Sequence, residues 1–202
     1  ATPGELFTTL ALTGYYPVLT WTTYLLAGMA VGRLDLRDTR VAARLLGGGM
    51  LLAVLATAAS TALRGIATGL GPAGRHYGTT PTDTWWWLVV DDPHSGTPFD
   101  LAHTIGTALA VLGLALLVAG WSRAAVWVPA AVGAAPLTLY TLHVGWLGVS
   151  PGTGLPTFLV HLAVAVLLGV ALRLAGRRGP LETVVSAPGR ALRRRMTSPG
   201  FP

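Results

Sequence analysis

Cysteine is absent from this sequence, and lysine with it. Without cysteine there is neither a disulfide framework nor a thiolate site. All fourteen basic residues are arginine, beside abundant alanine and glycine. That pattern reflects a GC-rich coding bias and carries no mechanism. Charge of either sign is scarce, at 11% of residues, where soluble domains carry about 25%. Two signatures are missing too: there is no P-loop and no HExxH. No metal site is expected, because the histidine spacings match no paired-ligand pattern on one helical face.

What remains is apolar. Hydrophobic residues make up 52% of the 202, and the mean hydropathy is +0.59. This is the composition of a membrane protein. A pI near 10.8 suggests nucleic acid, but the arginines cluster beside apolar runs, where membrane topology explains them. The expected partner is the lipid bilayer, with no nucleic acid.

A bilayer-spanning helix needs about 20 apolar residues, and five segments qualify, at about 15–32, 45–63, 100–121, 124–149 and 155–175. The expected fold is an all-α, polytopic transmembrane helix bundle over residues 1–182, with a loop at 64–99 and a basic cytoplasmic tail at 183–202. Gly28 and Gly32 form a GxxxG pair that permits close helix packing. Pro129 and Pro136 interrupt the fourth span. The arginines of the tail suit anionic headgroups.

Twelve of the fourteen arginines fall in the connector 33–44, at Arg123 or from Arg173 onward, against Arg64 and Arg75 in the long loop. The positive-inside rule then places the N-terminus outside and the C-terminus inside. In that orientation all five histidines and five of the eight acids lie in the outer half. Ionisable groups near a span usually face a bundle interior or a wet cavity, so an outward-facing polar pocket is expected. The chain is expected to cross its membrane several times.

The chemistry concentrates in Asp91-Asp92-Pro93-His94-Ser95-Gly96-Thr97-Pro98-Phe99-Asp100, which runs on into Leu101-Ala102-His103-Thr104. Two prolines and a glycine in a run of eight forbid regular helix and favour turns. Asp100, His103, Thr104 and Thr107 have helical spacings of three and four and share a face. A carboxylate that orients an imidazole is half of many general-base arrangements. The alternative is that Asp100 caps the helix and His103 bonds a neighbouring helix.

On the fourth span, Pro136, Tyr140 and His143 share a face that Trp146 continues. The candidate catalytic residues are therefore His94, Asp100, His103 and His143. Asp91, Asp92, Ser95 and Tyr140 are candidates for substrate contact. His76 and His161 are expected to be structural. Trp85-Trp86-Trp87 marks a membrane–water interface, with a stacking platform for a sugar as the alternative.

Four stretches in order carry a resemblance. They are Gly14-Tyr15-Tyr16-Pro17 with Ala27-Gly28-Met29-Ala30-Val31-Gly32-Arg33-Leu34-Asp35-Leu36-Arg37; Pro93-His94-Ser95-Gly96-Thr97-Pro98-Phe99-Asp100; Leu137-Thr138-Leu139-Tyr140-Thr141-Leu142-His143; and Arg178-Gly179-Pro180-Leu181-Glu182. Together they resemble bacterial membrane proteins related to heparan-α-glucosaminide N-acetyltransferase, including the YeiB-like membrane acyltransferases. The resemblance implies a bundle of about ten or more helices. It also implies transfer of an acetyl or other acyl group from cytosolic acetyl-CoA or another acyl-CoA to an extracytoplasmic amine or hydroxyl. His94, Asp100 and His103 would bind or orient the acceptor, and His143 would act as base or position the acyl group.

The family's first spans, with an early Asp-x-x-Arg-Gly helix and the histidine assigned to catalysis, have no match here. The chain opens on Ala1-Thr2-Pro3-Gly4 without a methionine. It is therefore expected to be a C-terminal half, completed by missing N-terminal helices or by a second membrane polypeptide. Two other classes compete: a non-enzymatic transport or export component, and a structural membrane subunit whose polar residues join helices.

Overall fold

The structure is a computed structural model that describes residues 2–14, 17–66, 80–81, 83–150 and 152–196, without the side chains of Thr13 and of residues 191–196. Every regular element among the described residues is helical. The chain forms two compact units, residues 1–121 and 122–202. Tyr15, Tyr16, Arg75 and His76 lie outside the described residues.

The first unit opens with α1 (Pro3–Thr8), held by a capping box between Thr2 and Glu5, and continues as a π-helical segment, Thr9–Thr13. Pro17, with its fixed φ, leads into α2 (Val18–Val31). At 14 residues α2 is about 21 Å long, short of the hydrocarbon thickness of about 30 Å. Its expected length of 15–32 is cut at the amino end by the break at Gly14 and Pro17.

The charged connector is ordered by its two aspartates. Asp35 accepts the Arg37 N–H at 3.0 Å, and Asp38 accepts the Arg40 N–H at 2.8 Å. The second bond caps α3 (Thr39–Ile66). α3 thus begins six residues before the expected span and carries Arg40 and Arg44 on its first turns. α4 (Pro98–Trp121) follows a 3₁₀ turn at Trp85–Val89, which packs on both α3 and α4.

α3 and α4 meet backbone to backbone. A Cβ on Gly49 would lie 2.5 Å from Ala110 N and Gly106 O, and one on Gly106 would lie 2.6 Å from Ala53 N. Gly113 approaches Ala42 and Leu46 in the same way. Ala42, Gly49 and Ala56 recur every seven residues on α3, as Gly106 and Gly113 do on α4. The buried residues of α3 are Ala42, Leu45, Gly49, Ala56 and Ser60. Small side chains that let two backbones approach are how apolar helices associate when lipid supplies no hydrophobic drive. Among the described residues Gly28 and Gly32 do not serve this purpose: a Cβ on Gly28 would meet nothing within 4 Å, and one on Gly32 only its own helix.

The second unit holds α5 (Trp127–Gly133), α6 (Pro136–Val149), α7 (Gly154–Leu174) and α8 (Pro180–Met196). The expected fourth span is broken at Ala134 and Ala135, and α5 and α6 are bent by 73°. Pro136 at the start of α6 lacks the N–H that would continue α5 and suits a first helical turn. α5 packs on α7 where Gly169 passes the Ala131–Val132 backbone. Arg173 donates to the Trp127 carbonyl at 3.3 Å, with its guanidinium 5.0 Å from that ring's centroid. Residues from 180 onward, expected as a tail from 183, form helix through Met196.

Among the described residues, α3, α4 and α7 are long and apolar enough to cross a membrane, and the bent pair α5–α6 makes a fourth span if it counts as one. Of the large apolar side chains on α3, α4 and α7, Leu45 alone is buried, and the others are half-buried or exposed. The protein has the helix composition of an integral membrane protein.

Candidate functional site

The loop between the 3₁₀ turn and α4 is built around Thr97 and Asp100, both buried. Thr97 precedes α4, and its hydroxyl oxygen accepts the Asp100 N–H at 3.2 Å, satisfying a first-turn donor. The same hydroxyl donates to the Val90 carbonyl. The Asp100 carboxylate reaches back to the Gly96 N–H at 2.9 Å and accepts from the Thr104 hydroxyl at 3.3 Å. These bonds close a turn in which Gly96 has φ +67° and His94 has φ +65°. Glycine adopts that region freely. For histidine it costs roughly 1–2 kcal/mol, so the surrounding bonds hold His94 in a conformation the chain alone disfavours.

This turn forms one wall of a cavity of about 710 Å³ that lies wholly in the first unit. His94, Ser95, Thr97, Asp100 and Thr104 line it from the loop and α4, and Thr20, Trp21 and Tyr24 from α2. Trp87 and, at the rim, the exposed Trp85 line it from the 3₁₀ turn, with Asp83 and Thr84 just before them. The Trp87 indole N–H donates to Asp83 at 2.7 Å, which fixes that ring. Trp21 and Tyr24 meet edge to face, with centroids 5.5 Å apart. Aromatic rings, carboxylates and hydroxyls thus line one space.

The expected site residues separate. His94, Ser95 and Asp100 line the cavity. His103 does not; its Nδ1 lies 2.9 Å from the Thr57 hydroxyl on α3. Asp100 and His103 therefore serve different partners, and the geometry is that of a helix cap beside an interhelical hydrogen bond. Asp91 and Asp92 turn toward α3. Asp91 accepts from the Ser60 hydroxyl at 3.0 Å, and Arg64 lies 4.0 Å from Asp91 and 3.8 Å from Asp92.

His143 and Tyr140 belong to the second unit. His143 Nδ1 lies 2.9 Å from His161 Nδ1, and Trp146 packs on the His161 ring at 4.6 Å. Tyr140 is exposed. Among the described residues no group of three or more histidines and carboxylates is placed to hold a metal ion.

Sequence reasoning missed the wall contributed by α2. The signal was present: Thr20, Trp21 and Tyr24 are spaced by one, three and four on one helix. The chain matches no family model, no curated protein and no solved structure.

Proposed function

We propose that this chain is part of a membrane acyltransferase and that its first-unit cavity receives the acceptor, a sugar-like molecule bearing a free amine or hydroxyl. The observation that carries the reading is the pairing of Trp21, Tyr24, Trp85 and Trp87 with Asp83, Asp100, Thr20 and Ser95 around one cavity. Ring faces stack on the C–H surface of a saccharide, and carboxylates and hydroxyls take up its polar edge. The orientation that favours it puts this end of the first unit outside and its arginine connector inside.

His94 is the imidazole lining this space among the described residues, and an imidazole can serve as a general base toward an amine or hydroxyl. In the proposed step it accepts the proton of the acceptor's amine or hydroxyl. That atom attacks the thioester carbonyl, the C–N or C–O bond forms and the C–S bond breaks. The thiolate leaves and takes up a proton. The acyl-CoA donor comes from the cytosolic side, and its phosphates would meet the basic connector of Arg33, Arg37, Arg40 and Arg44. The remaining catalytic groups come from further helices or a second membrane polypeptide, as the resemblance implies.

Purified chain in nanodiscs, titrated with glucosamine and followed by tryptophan fluorescence, tests the acceptor site. Saturable quenching that disappears in Trp21→Ala and weakens in Asp100→Asn is expected. Radiolabelled acetyl-CoA, added with the further helices present, is expected to label the sugar in the wild type and not in His94→Ala. Binding without transfer would point to a solute-binding export component. No binding would overturn the reading.

A further inference from the structure

α8 carries features that the cavity does not use. In its sequence Leu181, Val184, Val185, Pro188 and Leu192 fall on one face of a helix. Thr183, Ser186, Arg190, Arg193 and Arg194 fall on the opposite face, and Arg195, in the last turn, falls on the first. Val184 and Val185 are each 68% exposed. A helix with four arginines and two uncovered valines is suited neither to a packed interior nor to open water.

Its one carboxylate is already engaged. Glu182 accepts the Thr138 N–H at 3.0 Å and the Thr138 hydroxyl at 2.5 Å, and the Leu181 N–H donates to that hydroxyl oxygen at 3.2 Å. The amino end of α8 is thereby pinned to the first turn of α6. Its position along the chain is equally specific. α7, apolar enough to cross a bilayer, ends with Arg173 in its last turn. Residues 175–179 then turn the chain, with Gly176 at φ +63° and Arg177 and Arg178 following. α8 thus begins where a membrane span would emerge.

We propose that α8 lies in the plane of the membrane surface, with its valine face at the boundary of headgroups and acyl chains and its arginines on anionic headgroups. One apolar face on an otherwise polar helix, with arginine on the polar side, is the mark of an interfacial helix. A nucleic acid would occupy the arginines and leave Val184 and Val185 uncovered, whereas a bilayer covers both faces.

The lack of native cysteine makes a single spin label unambiguous. The full chain, reconstituted in phosphatidylcholine–phosphatidylglycerol nanodiscs, would be labelled at Val184→Cys or at Arg190→Cys. Oxygen is expected to relax the first label more than a water-soluble nickel chelate does, and the reverse is expected for the second. In phosphatidylcholine alone, or after Arg193→Gln, Arg194→Gln and Arg195→Gln together, oxygen access at the first label should fall by roughly half. Water access at both positions in the anionic discs would overturn the proposal. So would insensitivity to lipid charge, or protection that appears only when an oligonucleotide is added.

Discussion

The Thr57 hydroxyl and His103 Nδ1 face each other across α3 and α4 at 2.9 Å. A polar pair between apolar helices joins them, and its partner is fixed whatever Asp100 does. A double-mutant cycle of Thr57→Val and His103→Ala should return a coupling of about 0.6 kcal/mol, the average for such bonds in membranes. Sugar-dependent fluorescence quenching should persist in His103→Asn. A loss of quenching there, with stability intact, would return His103 to the binding machinery.

The glycines of the α3–α4 contact make a second expectation sharp. Gly106→Val places a side chain where the Ala53 and Gly49 backbones already stand, and overpacking of this kind costs about 3 kcal/mol. Gly28→Val meets open space and should stay within about 0.5 kcal/mol of wild type. Thermal unfolding in detergent compares the two directly.

His94→Gly relieves roughly 1 kcal/mol of backbone strain and removes the proposed base. The variant should unfold no earlier than the wild type and fail in acyl transfer. A variant that unfolds much earlier would mean that the histidine is there for the fold.

Asp100→Ala leaves the Gly96 N–H without its acceptor and should cost on the order of 1–2 kcal/mol. The loop should also loosen locally. Faster amide exchange at Gly96 and Thr97, with α7 unchanged, is the measurement.

Hydrogen bonds from Thr138, led by its hydroxyl, hold the Glu182 carboxyl below its ordinary range. A depressed carboxylate stabilises the fold above its unfolded pKa, and that contribution fades as pH falls through the lower folded value. The α6–α8 contact should therefore be indifferent to pH near neutrality and weaken below about pH 4. In Glu182→Gln it should already be weak at neutral pH, without that acid dependence. Limited proteolysis around residues 175–180 across pH reports both.

The sequence made the apolar runs of α3, α4 and α7 plain, because about 20 consecutive apolar residues need no tertiary information to be recognised. It also marked the Pro93–Asp100 turn, where proline and glycine act locally. Contacts between distant segments were harder to see. Gly28 and Gly32 match a packing motif, yet among the described residues a Cβ on either would meet no neighbouring helix, while Gly49, Gly106 and Gly113 do the packing at a seven-residue spacing that no local pattern singles out. Asp100 and His103 share a helical face, but Thr57 lies 46 residues from His103 in sequence and no local pattern announces it. α8 was hidden because Pro188 and Gly189 punctuate it.

The two sides of the cavity differ in stiffness. Just beyond Thr104, at Gly106, the α4 backbone rests directly on the Gly49 and Ala53 backbone of α3. α2, which brings Trp21 and Tyr24, touches α4 only sparsely, and regions with few contacts open at the lowest free energy. Substrates of different bulk would then be accommodated by displacing the tryptophan side while the aspartate side keeps its register. Selectivity for polar groups and tolerance for size would reside in different helices.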